Sequence, residues 1–184
     1  MIRTIANTLA ATTLLATLPA VAADYTQAAG STLAFATQYD GDTFSGTLPG
    51  FTTRLSFDPA NLPAARLDVT IPLAAARTGN ADRDNTLHGS DFFNADKFPQ
   101  AHYVARAFRS LGNGDYAADG TLDLHGIRKP VTLTFHWTPG AKPVLAGKAV
   151  VKRLDFGIGT GDWADTALIP NAVAISTRVV LAPR

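Results

Sequence analysis

The residues able to do chemistry are few and scattered. Four histidines, His88, His102, His125 and His136, stand at separations that put no two on adjacent turns of one helix. A metal held by them would need ligands converging from separate strands, and ordinary hydrogen bonds account for them more simply. Two Asp–Arg clusters lie beside apolar segments: Asp82-Arg83-Asp84, ahead of Leu87, Phe92 and Phe93, and Arg153-Leu154-Asp155-Phe156-Gly157. Such neighbours either pair locally and cap turns, or present a planar fork to a ligand's head group. Gly157-Ile158-Gly159-Thr160-Gly161 matches a phosphate cradle in glycine count alone, because no helix pattern opens after it. It reads as a loop. All 15 acidic residues are Asp, so no H-E-x-x-H set exists, and no G-x-S-x-G elbow occurs. The absence of Cys removes thiol nucleophiles, thiolate metal sites and disulfides together. No catalytic set, metal site or cofactor is expected.

The elements that must position these residues are strands. Ala65, Leu67, Val69, Ile71 and Leu73 alternate with Arg66, Asp68, Thr70 and Pro72; Val131, Leu133, Phe135 and Trp137 alternate with Thr132, Thr134 and His136. Val173, Ile175, Thr177, Val179 and Leu181 make a third such face, and weaker ones run through Leu33–Tyr39 and Thr53–Phe57. Period-two alternation marks strands with one dry face. Further strands are expected near 101–109, 115–125 and 145–156, with turns at Asp40-Gly41, Asp58-Pro59, Gly112-Asn113-Gly114, His125-Gly126 and Pro139-Gly140. Residues 78–99 break the rhythm: Asn80 or Asp82 can cap one short helix, Ser90 or Asp91 another, and Pro99 forces an extended exit. This reads as a crossover over a barrel end. Long strands favour a closed antiparallel barrel over a sandwich. Its lumen would draw on Phe35, Leu67, Val69, Ile71, Phe92, Phe93, Tyr103, Leu133, Phe135, Trp137, Phe156 and Ile175, with Ala101, Ala105 and Ala107 leaving space. Plain core packing of the same residues stays open.

Composition bounds the role. With 46% hydrophobic residues and only 17% charged, the chain can bury a full core. Met1-Ile2-Arg3, an apolar run from Ile5 to Leu18 and small residues at 20–23 have the layout of a secretory signal peptide cleaved after Ala22 or Ala23. The run is too short to span a bilayer, which takes roughly 20 residues. Residues 24–184 are then one exported, periplasmic domain with no transmembrane segment. Removing Arg3 leaves 15 basic against 15 acidic groups, since 16 Lys+Arg are present in all, so no basic field exists to hold nucleic acid.

Three segments together resemble one family. Thr78-x-Asn80-x-x-Arg83-Asp84-x-x-Leu87-x-x-x-Asp91-Phe92-Phe93 with Lys97-Phe98-Pro99, then Gly120-x-Leu122-x-Leu124-His125-Gly126-Ile127-Arg128-Lys129-Pro130-Val131, then Arg153-x-Asp155-Phe156-Gly157-Ile158 are similar to the signature segments of the YceI family of exported lipocalin-like proteins. Thr86 and Ala105 depart from that pattern, standing where His and Ser are frequent. The resemblance implies an all-β extended barrel of about eight strands, with one or two short helices in the 80–97 crossover. Its lumen would hold a long isoprenoid, such as a polyprenyl or quinone tail, or a related amphiphile, with Arg83, Asp84, His125, Arg153 and Asp155 at a polar mouth or in structural roles. Two other readings remain: an enzyme acting on a bound lipid with Asp84, His125 or Asp155 as acid or base, and a ligand-free module docking on a membrane redox protein. A homodimer is also left open.

Overall fold

Alternation in the sequence becomes a ten-stranded antiparallel sheet curled on itself. The computed structural model describes residues 23–184; the expected signal segment, apart from Ala23, lies outside the described residues. The strands are β1 (Ala23–Gln27), β2 (Thr32–Tyr39), β3 (Asp42–Thr47), β4 (Thr52–Phe57), β5 (Arg66–Pro72), β6 (Gln100–Gly112), β7 (Asp115–Leu124), β8 (Ile127–Thr138), β9 (Val144–Lys152) and β10 (Ala172–Pro183). The crossover between β5 and β6 carries the α-helix of the described residues, α1 (Ala81–His88), capped by Asn80. Residues 90–97 form turns instead of a second helix.

Sheet order runs β1-β4-β5-β6-β7-β8-β9-β10, and β1 pairs with β10 to close the ring. Strand β10 serves two partners on one edge: its first half pairs with β2 (Ile175 opposite Phe35) and its last residues with β1 (Leu181 opposite Gln27). Ser31 patches the switch, because its hydroxyl donates to the Ala28 carbonyl (2.8 Å) and accepts from the Val180 amide (3.0 Å). The β2–β3 hairpin therefore hangs on β10 outside the β1–β4 pairing. Its free edge is tied to the crossover by a reciprocal Thr47–Arg77 main-chain pair (2.8 and 3.0 Å).

One end of the barrel is filled with rings. Phe57, 1% exposed, lies 5.1 Å from Tyr116, 4.9 Å from Trp137, 5.6 Å from Phe135 and 6.0 Å from Phe108, in tilted and edge-on arrangements that aromatic quadrupoles favour. Phe108 joins this plug because the β6–β7 register shifts between Ala105 and Ala107. The bulge turns Ala107 outward, against strict alternation, and frees the next residue to point in.

Candidate ligand-binding site

Above the plug lies an apolar cavity of about 450 Å3. Of the residues expected from the sequence, Phe35, Leu67, Val69, Ile71, Phe92, Phe93, Tyr103, Leu133 and Ile175 line it, as does Ala101. Phe135 and Trp137 do not. They share the inward face of β8 with Leu133 but lie deeper, where Phe57 meets them, and close the cavity from below. Phe156 is also outside the lining, 1% exposed in the core, with its carbonyl receiving the His125 Nδ1–H (3.1 Å).

Tyr103 spans the wall, and its hydroxyl donates toward the Ala118 (2.8 Å) and Val131 (3.0 Å) carbonyls. Burial pushes this phenol's pKa well up, so it stays protonated. The ring fits because position 120 is glycine: a Cβ there would stand 2.6 Å from Tyr103 ring atoms.

The mouth is the opposite end, where α1, the β2–β3 turn and the long β9–β10 connection meet. That connection is pinned across the opening: the Gly159 amide donates to the Asp91 carbonyl (2.7 Å), the Asp40 amide donates to the Leu168 carbonyl (3.0 Å), and Trp163 meets Phe92 edge-on at 5.5 Å. Arg153, 3% exposed, holds it from inside. Its Nε donates to Pro170 O (3.3 Å), Nη1 to Ile158 O (3.0 Å) and Gly159 O, and Nη2 to Trp163 O (2.7 Å) and Ile169 O (2.9 Å). A guanidinium has five N–H groups, and here carbonyls take all of them. Burial draws its pKa below the ordinary arginine value.

Neither Asp–Arg cluster forms the internal ion pair that adjacency suggests. Asp155 is exposed while Arg153 points to carbonyls. Asp84 accepts from the Thr78 hydroxyl (2.6 Å) and amide (2.7 Å), which hold its carboxyl below the usual range and bind α1 to the end of the preceding segment. Arg83 instead lays its guanidinium 4.2 Å over the Phe44 ring and lines the mouth with Asp82 and Thr86. None of the acid–base candidates Asp84, His125 and Asp155 lines the cavity. The remaining histidines are engaged as well: His88 on the Ala76 carbonyl (2.9 Å), His102 on Asp68 (2.9 Å) and His136 on Asp115 (2.8 Å). Among the described residues no group of three or more His, Cys, Asp or Glu is placed to hold a metal.

Several lining residues escape the sequence reading. Leu48 and Phe51 come from the turn into β4, and Phe44 from β3, which alternation does not announce. Trp163 sits in a Gly- and Asp-rich loop, where a lone large ring was the available signal.

A YceI-like domain model matches residues 25–181. The chain belongs to the YceI family. This YceI-like barrel is 31% identical over 157 residues to a UPF0312 protein of Shewanella oneidensis, covering 79% of this chain and 82% of that one. Its structure is similar to Burkholderia cenocepacia BcnA, with TM-score 0.79 and 28% identity over 83% of this chain and 96% of the other. The fold is also that of a polyisoprenoid-binding domain from Saccharophagus degradans (TM-score 0.67, 16% identity, 89% and 99% covered). Among the described residues no helix is long and apolar enough to cross a membrane.

Proposed function

We propose that this YceI-like barrel is an exported periplasmic carrier or storage protein, which holds a long isoprenoid tail or a related amphiphile in its lumen. One observation carries this: an apolar cavity stopped by an aromatic plug at one end and rimmed by Arg83, Asp82 and Thr86 at the other. Such a tube takes a chain tail-first and leaves a polar head at the rim. The shared fold with a polyisoprenoid-binding domain supports the reading. Signal cleavage after Ala22 or Ala23 would leave β1 able to pair with β4, from Asp24 opposite Ser56 onward. The test is native mass spectrometry of protein released gently from the envelope, with its N-terminus sequenced and any extracted lipid identified. A mature chain starting at Ala23 or Asp24 with a stoichiometric long-chain lipid is the expected result. An intact Met1 start overturns export; protein that neither carries nor takes up any long-chain lipid overturns the carrier role.

A further inference from the structure

Two arginines line the cavity, and their donors are in opposite states. Arg153 has spent every N–H on main-chain carbonyls. Among the described residues Arg83 makes no side-chain hydrogen bond or ion pair; its guanidinium carbon lies 4.2 Å from the centre of the Phe44 ring, half-buried at the mouth. A cation–π contact engages the charge and consumes none of the N–H donors, so a group arriving beside this guanidinium meets a ready fork. The placement is built. Asn80 Oδ1 accepts the Arg83 amide (2.9 Å), Asp84 anchors the same turn to Thr78, and Phe44 comes from the hairpin opposite.

We infer that Arg83 is the residue that reads the ligand's head, and that it selects a head with hydrogen-bond acceptor oxygens carrying at most one negative charge, such as a carbonyl or a carboxylate. This rests on the carrier reading above. The charge limit follows from the surroundings. Asp82 lines the mouth beside Arg83, and the Asp84 carboxylate, turned to Thr78 on the same turn, still interacts with Arg83 through space, so one fork already stands near two acidic groups. A polyphosphate head would bring more negative charge than that fork can compensate in a partly desolvated site.

The experiment uses one tail of four isoprene units with four ends: hydrocarbon, methyl ketone, carboxylate and diphosphate. Affinities are measured by displacement of a fluorescent long-chain probe from wild type, Arg83→Ala, Arg83→Lys and Phe44→Leu, with melting temperatures alongside. In Arg83→Ala the ketone and carboxylate should lose about tenfold or more, the size of one charge-assisted hydrogen bond, while the hydrocarbon is unchanged. Arg83→Lys should restore the carboxylate more than the ketone. Phe44→Leu should weaken both headed ligands with the donors still present, because the fork is no longer aimed. Wild type should bind the diphosphate most weakly of the headed series. Equal loss for hydrocarbon and headed ligands, no loss at all, or tightest binding of the diphosphate overturns the head-reading role while leaving the carrier intact. Failure of wild type to take up even the hydrocarbon overturns the carrier reading, and this inference with it.

Discussion

Arg153 and Asp84 look alike in the sequence, each part of an Asp–Arg cluster, yet they bear on stability in different ways. Removing the guanidinium in Arg153→Ala leaves the carbonyls of Pro170, Ile158, Gly159, Trp163 and Ile169 without their donor. Buried acceptors stranded in this way cost about 1–3 kcal/mol each where water cannot reach them. We expect a total loss of about 3 kcal/mol or more, with Arg153→Lys failing to rescue because one ammonium cannot fan across five acceptors. Urea unfolding of both variants checks this, and wild-type midpoints would show that the loop holds itself. Asp84 gives a pH signature. Its folded pKa lies below the ordinary 3.8, chiefly through the Thr78 hydroxyl, so its contribution is present above about 3.8 and is lost as pH falls through the folded value. Asp84→Asn should therefore flatten the acid limb of stability against pH and leave the neutral-to-alkaline side parallel to wild type. Unfolding midpoints between about pH 5 and 2 decide it.

At the scale of elements, close approach matters more than hydrophobicity. Gly120 lies flat beneath Tyr103. Gly120→Ala should destabilise by about 1–3 kcal/mol through overpacking, and Tyr103→Phe should not relieve it, because ring carbons as well as the hydroxyl stand within 2.7 Å of the new methyl. Thermal melts of the two single variants and the double variant test that. Long strands were legible because each repeats its apolar face several times: β5, β8 and β10 fall where alternation put them. β1 and β3 were not, because Ala-Asp-Tyr-Thr-Gln and Asp-Thr-Phe-Ser-Gly-Thr each carry one large apolar side chain and no period can be counted. Phe44 was missed with β3, and so was the Arg83–Phe44 contact, which joins parts of the chain far apart in sequence. The bulge after Ala105 was invisible for a related reason: alternation predicts direction only while register holds. Depth was hidden too. Leu133 lines the lumen and Phe135 stops it, although both follow the same alternation, since depth depends on which neighbours the register sets beside them.

For the whole molecule, the plug fixes the length of the tube. Phe57→Ala removes the ring at the centre of four aromatic contacts and should cost about 3–5 kcal/mol. It should also deepen the lumen. In wild type, affinity for isoprenoids should rise by about 0.8 kcal/mol per buried methylene until the tube is full, and in Phe57→Ala the plateau should move to a longer chain. Affinity that ignores chain length in both proteins would place the ligand elsewhere. Uptake of an uncharged hydrocarbon should be nearly independent of salt, because no charge is screened or released.

The shared edge of β10 also orders events in time. This strand pairs with β9, with β2 and with β1, and Leu181 near its end is fully buried. A chain emerging from its N-terminus can build the β4-to-β9 meander step by step. The ring, however, cannot close, nor β2 find its place, until residues 172–183 are present. Pairing Tyr25 with Pro183 spans nearly the whole domain, so closure is a late, high-contact-order step and should set a slow folding rate. A chain that stays open until its last strand arrives remains threadable through a translocation channel. On the proposed export route it would acquire a lumen only after the whole strand set had crossed.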